Sequence, residues 1–409
     1  MDDARRAADE QPGDVPGGSW HGPGLVARRI EGGGADVTAP TTGRPPFVDL
    51  VAGARPNFMK IAPIISALRR AAADGASIGY RLVHTGQHYD QAMSGAFFEQ
   101  LGLPQPDVNL EVGSGSHATQ TAAIMTRYEA LITQSPPAMC VVVGDVNSTL
   151  ACAITARKAQ VAVAHVEGGL RSGDWSMPEE VNRVATDAIS NWFFTTSHHA
   201  NDNLRQSGVD PARVFFVGNT MIDTLLANLE RLRPPDFWAD AELDHRPYVV
   251  VTLHRPNNVD DPRRLRALLE AVDVGSRGAS VVFPVHPRTA KAMRGIADLP
   301  ARYHIVAPQP YLEFIHLVRH ARAVVTDSGG VTEETTVLGV PCITLRASTE
   351  RPETVEIGTN QLAGNDPDEI GSLMAVALSG RWKKGGVPEL WDGLAGERIA
   401  GLLANLVLG

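Results

Sequence analysis

The chain of 409 residues carries 37 Lys and Arg against 46 Asp and Glu, a net charge of −9, with 43% hydrophobic and 20% charged residues. That length and balance predict two globular domains with large cores and exclude a disordered chain. A net-acidic chain has no electrostatic footprint for nucleic acid or an anionic membrane surface, and it lacks the uninterrupted run of about 18 apolar residues that a spanning helix needs. Cys140, Cys152 and Cys342 lie in apolar runs without metal-ligand spacing, which points to buried thiols in a reducing cytoplasm.

Residues 1–46 hold glycines, prolines and scattered charge with little periodicity, and no apolar core follows the acidic start. They read as a disordered leader with no role in catalysis. From residue 47 apolar runs alternate with helix-competent segments. Strands are expected at Phe47–Ala52, Tyr80–His84, Met139–Val143, Val161–Val166, Trp192–Thr196 and Val214–Val217, with helices at Asn57–Ala72, Ser148–Ala159 and Pro178–Ser190. The second half repeats the theme with strands at Tyr248–Thr252, Ser280–Val285, His304–Val306, Ala323–Thr326 and Cys342–Leu345. Continuous Val/Ile/Ala strands separated by helices predict parallel sheets covered on both faces. The expected fold is α/β, two doubly wound Rossmann-like domains at 47–218 and 219–389. A helical tail within 390–409 would pack back on the first domain.

Polar residues cluster at the carboxyl ends of these strands, the edge at which open parallel sheets bind ligands. Gly53 to Arg55, Gly144-Asp145, His165 to Glu167, His254-Arg255, His286 and Asp327-Ser328 all stand there. In Val324-Val-Thr-Asp-Ser-Gly-Gly-Val-Thr-Glu-Glu334 a strand ends, two glycines turn and a helix opens, so unpaired backbone N–H groups can hold a phosphate. An ordinary strand–helix turn has the same pattern. Arg55 and Lys60 are either phosphate or sugar ligands or solvated charges. Asp145 is either a helix N-cap or a catalytic carboxylate. Glu167, at a strand end beside two glycines, resists a packing explanation. Glu179 and Glu180 suit both the first turn of a helix and an acid–base role, and His165 reads as a satisfied core histidine. No GxGxxG follows the first strand and no P-loop is present, so no redox cofactor is expected. The His84/His88 spacing lacks the further ligands of a metal site, so no metal is expected either.

Together, GARPNFMKIAPI (53–64), HTGQHYD (84–90), GDVNSTL (144–150), HVEGGLRSGDWSMPEEVNR (165–183), TLHRPNNVD (252–260), PVHPRT (284–289), TDSGGVTEE (326–334) and TERPETVEIGTN (349–360) resemble the non-hydrolysing UDP-N-acetylglucosamine 2-epimerases, of glycosyltransferase-B-like fold. The resemblance runs from about residue 47 to the C-terminus. It implies that Asp145, Glu167 and Glu179 work on the sugar and that His254 stands beside the UDP leaving group. It assigns Arg55 and Lys60 to the substrate, Gln309 and Phe314 to the uracil, Ser328, Gly329 and Gly330 to the diphosphate, Glu334 to the ribose and Arg351 to a further UDP-sugar contact. The implied partner is a UDP-sugar, the implied assembly a cytoplasmic homodimer, and no cofactor is required. Gln87, Arg127, Arg255 and His286 match a second, regulatory UDP-GlcNAc site, but Asp90 and Asn257 stand where many members have Gln and Glu. A glycosyltransferase of the same architecture, or an epimerase of a related UDP-2-acetamido sugar, is the alternative.

Overall fold

A computed structural model describes residues 45–75, 77–86, 98, 100–294, 296 and 299–408. The expected leader therefore falls outside the described residues, apart from Pro45 and Pro46. In chain order the first half runs β1 (Phe47–Ala52), α1 (Arg55–Ala73), β2 (Gly79–His84), β3 (Val108–Asn109), α2 (His117–Gln134), β4 (Met139–Val143), α3 (Asn147–Lys158), β5 (Ala162–Val166), α4 (Pro178–Ile189), β6 (Trp192–Thr195), α5 (His198–Gln206) and β7 (Val214–Phe216). The second half runs α6 (Thr220–Asn228), β8 (Tyr248–Thr252), α7 (Pro256–Val259), α8 (Pro262–Ser276), β9 (Ser280–Pro284), α9 (Pro287–Met293), β10 (Tyr303–Val306), α10 (Tyr311–His320), β11 (Ala323–Thr326), α11 (Gly329–Leu338), β12 (Cys342–Thr344), α12 (Pro352–Glu356), β13 (Asn360–Leu362), α13 (Pro367–Leu378) and α14 (Ala395–Leu408).

The strands form two sheets, ordered β3-β2-β1-β4-β5-β6-β7 and β10-β9-β8-β11-β12-β13. Every pairing is parallel, and Val250 on β8 stands opposite Val324 on β11. This is the two-sheet α/β architecture expected from the alternating runs. Central strands such as β4 are buried along their whole length, because helices cover both faces. Strand order reverses beside β1 and β4 in one sheet and beside β8 and β11 in the other. Parallel sheets open a crevice at such switch points, so each sheet places its ligand-bearing loops there: Arg55 after β1, Asp145 after β4, His254 after β8 and Asp327 after β11.

Strands β3 and β13 have no counterpart among the expected strands. They are edge strands of two and three residues, too short to show a period. Helix α1 starts at Arg55, not Asn57, because Pro56 suits a first helical turn. The tail helix, Ala395–Leu408, falls within the expected stretch.

Helix α1 carries an internal proline, Pro63, whose missing N–H leaves the Met59 carbonyl without its helical donor. The Thr224 hydroxyl on α6 donates to that carbonyl at 2.6 Å. On another face of Pro63 lies Gly396 of α14, where a Cβ would come within 2.7 Å of the Pro63 carbonyl carbon. Glycine lets α14 lie directly on α1, burying Ile399 and Leu403 with Ile61, Ile64 and Leu68. Replacing Thr224 with Ala strands a buried acceptor and should lower stability by ~1–3 kcal/mol in urea denaturation. A midpoint equal to wild type would show that the Met59 carbonyl finds another donor. No described helix is long and apolar enough to cross a membrane.

Candidate active site

The loops at the two switch points enclose a cleft of about 1120 Å³. On the first-sheet wall Asn57 sets the geometry. Its side chain accepts from the Gly53 and Ala54 N–H groups at 3.3 and 2.9 Å and donates to the Val143 carbonyl at 2.9 Å, tying the turn after β1 to the end of β4. Arg55 and Lys60 then line the cleft. Lys60 Nζ reaches Glu167 Oε2 at 2.6 Å. Gly144, at φ +69°, lies beneath both, since a Cβ there would stand 3.3 Å from Lys60 Nζ and 3.7 Å from Glu167 Oε2.

Glu167 has φ +68°, a left-handed backbone that only surrounding structure sustains in a residue with a side chain. It is 2% exposed, and its Oε1 has no hydrogen-bond partner. Burial alone would raise this carboxyl, but the Lys60 ammonium and the Arg351 guanidinium outweigh it and hold Glu167 below the usual carboxylate range. It is therefore an ionised group, in the form a general base requires.

Asp145 caps no helix. The residue preceding α3 is Val146, which makes no side-chain cap. The Asp145 carboxylate instead pairs with Arg183 Nε and Nη2 at 3.0 and 2.9 Å. Glu179 and Glu180 separate cleanly. Glu180 is buried, accepts from the Ser172 and Gly173 N–H groups at 2.9 and 3.0 Å and pairs with Arg183, so it holds the loop after β5. Glu179 is half-buried and lines the cleft. His165 is fully buried between Asp187 at 2.7 Å and the Gly144 carbonyl at 2.8 Å, a core histidine.

On the facing wall His254 Nδ1 meets Asp327 Oδ1 at 2.8 Å. Asp327 is wholly buried and also accepts from the Arg255 N–H at 2.9 Å and Asn258 Nδ2 at 3.0 Å. Burial opposes its charge, yet the hydrogen bonds and His254 hold its carboxyl below the usual range. With Nδ1 engaged, the His254 ring has only Nε2 left for a ligand. Arg255 donates from Nε to the Asp327 carbonyl at 2.9 Å, and the His286 ring lies 6.1 Å from that of His254.

The turn after β11 runs from the strand end at Thr326 into the N-terminus of α11 at Gly329, the strand–turn–helix order expected. Ser328 precedes α11 without capping it through its hydroxyl. A Cβ at Gly329 would sit 2.5 Å from Glu350 Oε1, so a side chain here would have to displace the Glu350 carboxylate, and Gly330 follows on the cleft wall. Glu334 is 3% exposed, burial pushes its carboxyl up to about 8, and its Oε1 has no partner. Gln309 and Phe314 line the same wall, with Gln309 Nε2 donating to the Ala307 carbonyl at 2.7 Å. Arg351 is 4% exposed, with Nη2 3.2 Å from Glu167 Oε2 and Nε 2.5 Å from Glu333 Oε1.

Of the expected regulatory residues, Arg255 and His286 line the cleft. Arg127 does not: it lies on α2 and donates to the Leu110 carbonyl. Gln87 lies outside the described residues. Sequence reasoning overlooked Arg183, Asp327 as the partner of His254, and Glu333. Arg183 was visible as the residue four after Glu179, on the same helix face.

A model of the UDP-N-acetylglucosamine 2-epimerase family matches residues 70–404. A UDP-N-acetylglucosamine 2-epimerase of Methanocaldococcus jannaschii is 38% identical over 369 residues, spanning 87% of this chain and 98% of its own length. A UDP-2,3-diacetamido-2,3-dideoxy-D-glucuronate 2-epimerase of Pseudomonas aeruginosa is also 38% identical, over 363 residues, spanning 87% of this chain and 99% of its own. The crystal structure of the Methanocaldococcus jannaschii UDP-GlcNAc 2-epimerase in complex with UDP-GlcNAc and UDP matches with a TM-score of 0.79, covering 88% of this chain and 99% of that one. With two parallel sheets, one cleft and matches over nearly the whole described chain, this protein belongs to the UDP-N-acetylglucosamine 2-epimerase family, a family of isomerases.

Proposed function

We propose that the chain interconverts UDP-GlcNAc and UDP-ManNAc by eliminating and re-adding UDP. The observation that carries this reading is the division of one cleft. The carboxylates of Asp145, Glu167 and Glu179 stand on the first-sheet wall, and His254, Arg255 and the N-terminus of α11 stand on the other. A carboxylate removes the C2 proton as the C1–oxygen bond to UDP breaks, and a C1–C2 double bond forms to give 2-acetamidoglucal. A second carboxyl group, protonated, gives its proton to the opposite face of C2 and becomes a carboxylate, while the C1–C2 double bond is consumed and the UDP oxygen re-adds at C1. Ionised Glu167 suits the proton-removing role. The N–H groups of the Ser328-Gly329-Gly330 turn, His254 Nε2 and Arg351 stabilise the departing diphosphate. Glu334 holds the ribose, Gln309 and Phe314 the uracil, and Arg55 and Lys60 the sugar end. Enclosure of the cleft keeps water from the reactive glycal. Arg255 and His286 would be the contacts of any regulatory UDP-GlcNAc.

The elimination reading is tested in D₂O without added nicotinamide. Product should carry deuterium at C2, because removal and return use opposite faces and different carboxylates. Unlabelled UDP-ManNAc after full turnover, read by mass spectrometry, would sink it. The Pseudomonas aeruginosa relative, equal in identity to the archaeal one, supports a second reading in which the substrate is a related UDP-2-acetamido sugar. A panel of UDP-sugars separates the two, and a glycosyltransferase would yield no C2 epimer from UDP-GlcNAc alone.

A further inference from the structure

Five side chains form an unbroken chain of contacts across the floor of the cleft. Lys60 Nζ lies 2.6 Å from Glu167 Oε2, and Arg351 Nη2 lies 3.2 Å from that same oxygen. Arg351 Nε lies 2.5 Å from Glu333 Oε1, to which Asn219 Nδ2 donates at 2.8 Å. Glu333 is 1% exposed and Asn219 is fully buried. The links come from α1, the end of β5, the residue before α12, the body of α11 and the N-cap of α6, in the segment that joins the two sheets.

Burying a carboxylate is costly unless its partners compensate, and α11 gains no cap from Glu333. Its contacts lead elsewhere. A guanidinium is a rigid fork of five donors. Arg351 feels Glu333, Glu167, Glu353 and Glu350, so its charge alone does not fix which donor meets which acid. Glu333 takes Nε. Nη2 is then left for Glu167, and Nη1 is buried without a partner.

We propose that Glu333 is a positioning residue for the reaction: it clamps the Nε side of Arg351, aims Nη2 at Glu167, and is itself anchored by Asn219. The assignment rests on the epimerase reading above. It makes the orientation of Glu167 depend on a residue of the other sheet's helix, so the acid–base group is set only when the two walls stand together.

The groups facing Glu333 are Arg351 and Asn219 in contact, Glu167 and Lys60 beyond Arg351, and Glu334 next on its own helix. Burial raises the Glu333 carboxyl, with Arg351 drawing it back and Glu167 adding to the rise, to about 7. Protonation below that pH removes the charge that holds Nε, so turnover should fall as pH drops through about 7.

The test is Glu333→Gln, which keeps the shape and can still accept from Asn219. The expected result is a fall in kcat of roughly 10–100-fold, the scale of a small misplacement of reacting groups, with UDP affinity within about 3-fold of wild type. The pH dependence of kcat near 7 should disappear. Asn219→Ser, which keeps a capping hydroxyl for α6 but is too short to reach Glu333, should lower kcat less and retain the pH dependence. Wild-type kcat and pH profile in Glu333→Gln would overturn the proposal, as would a loss of UDP affinity equal to the loss of kcat/KM. If Glu333→Gln does not fold, unchanged kcat in Asn219→Ser overturns it. If the wild-type chain makes no epimer, the epimerase reading fails by itself. A crystal structure of Glu333→Gln then still decides the clamp, since Arg351 keeping its 3.2 Å contact to Glu167 would overturn it.

Discussion

Glu167→Gln should lower epimerisation at least ~100-fold while leaving UDP affinity nearly unchanged. The substitution is isosteric, and a Gln carbonyl can still accept from Lys60 and Arg351. Arg351 also keeps Glu333, so its charge is not stranded. What disappears is a carboxylate held ionised, against burial, by two cations. The positive φ at this residue is an unfavourable backbone conformation that the surrounding structure sustains. Steady-state kinetics together with UDP calorimetry make the check. Near-normal turnover would reduce Glu167 to an ion-pair partner of Lys60, and a parallel collapse of UDP affinity would make it a binding residue.

Glu334→Gln should be more stable than wild type in alkaline solution, and the advantage should shrink toward pH 5. The folded carboxyl is pushed up to about 8 from 4.5 by burial. Between these values the unfolded chain releases the proton while the folded chain keeps it, so wild-type stability falls as pH rises through the window and levels off above about 8. A tenfold difference in proton affinity between the folded and unfolded chain corresponds to about 1.4 kcal/mol. Gln has the same shape and no ionisation, so it removes this slope. Urea denaturation at pH 5, 7 and 9 measures it, and a gap independent of pH would show that Glu334 is ionised in the folded chain. The same variant should bind UDP more weakly by ~1–3 kcal/mol if Glu334 holds the ribose, and wild-type affinity would remove it from the site.

What is legible in the sequence is what a strand-and-turn pattern encodes locally. A buried strand followed by a polar residue gives the sheet edge, so Asp145, Glu167, His254 and Ser328 stand out before any topology is known. Pairings between such residues depend on which strands are neighbours. Asp327 meets His254 only because β11 lies beside β8, and Arg183 meets Asp145 across 38 residues of sequence. Glu333 and Glu334 are adjacent and both buried, and only three-dimensional contacts show that one meets Arg351 while the other is left without a partner at Oε1. Motif likeness groups Arg127 with Arg255 and His286, but Arg127 lies on α2, donates to the Leu110 carbonyl and is not among the residues that line the cleft.

The Pro63–Gly396 contact has a consequence for how the chain is made. Helix α14 is synthesised after every strand of the second sheet, yet it covers α1 of the first. Domains emerging from the ribosome usually fold one after another, N-terminal first. Here Ile61, Ile64 and Leu68 stay without part of their covering until residues 395–408 have been translated. The first half must therefore wait, partly open, while the second is built. Clipping the chain ahead of Ala395 would then destabilise the sheet farthest from the cut in sequence and spare the nearer one.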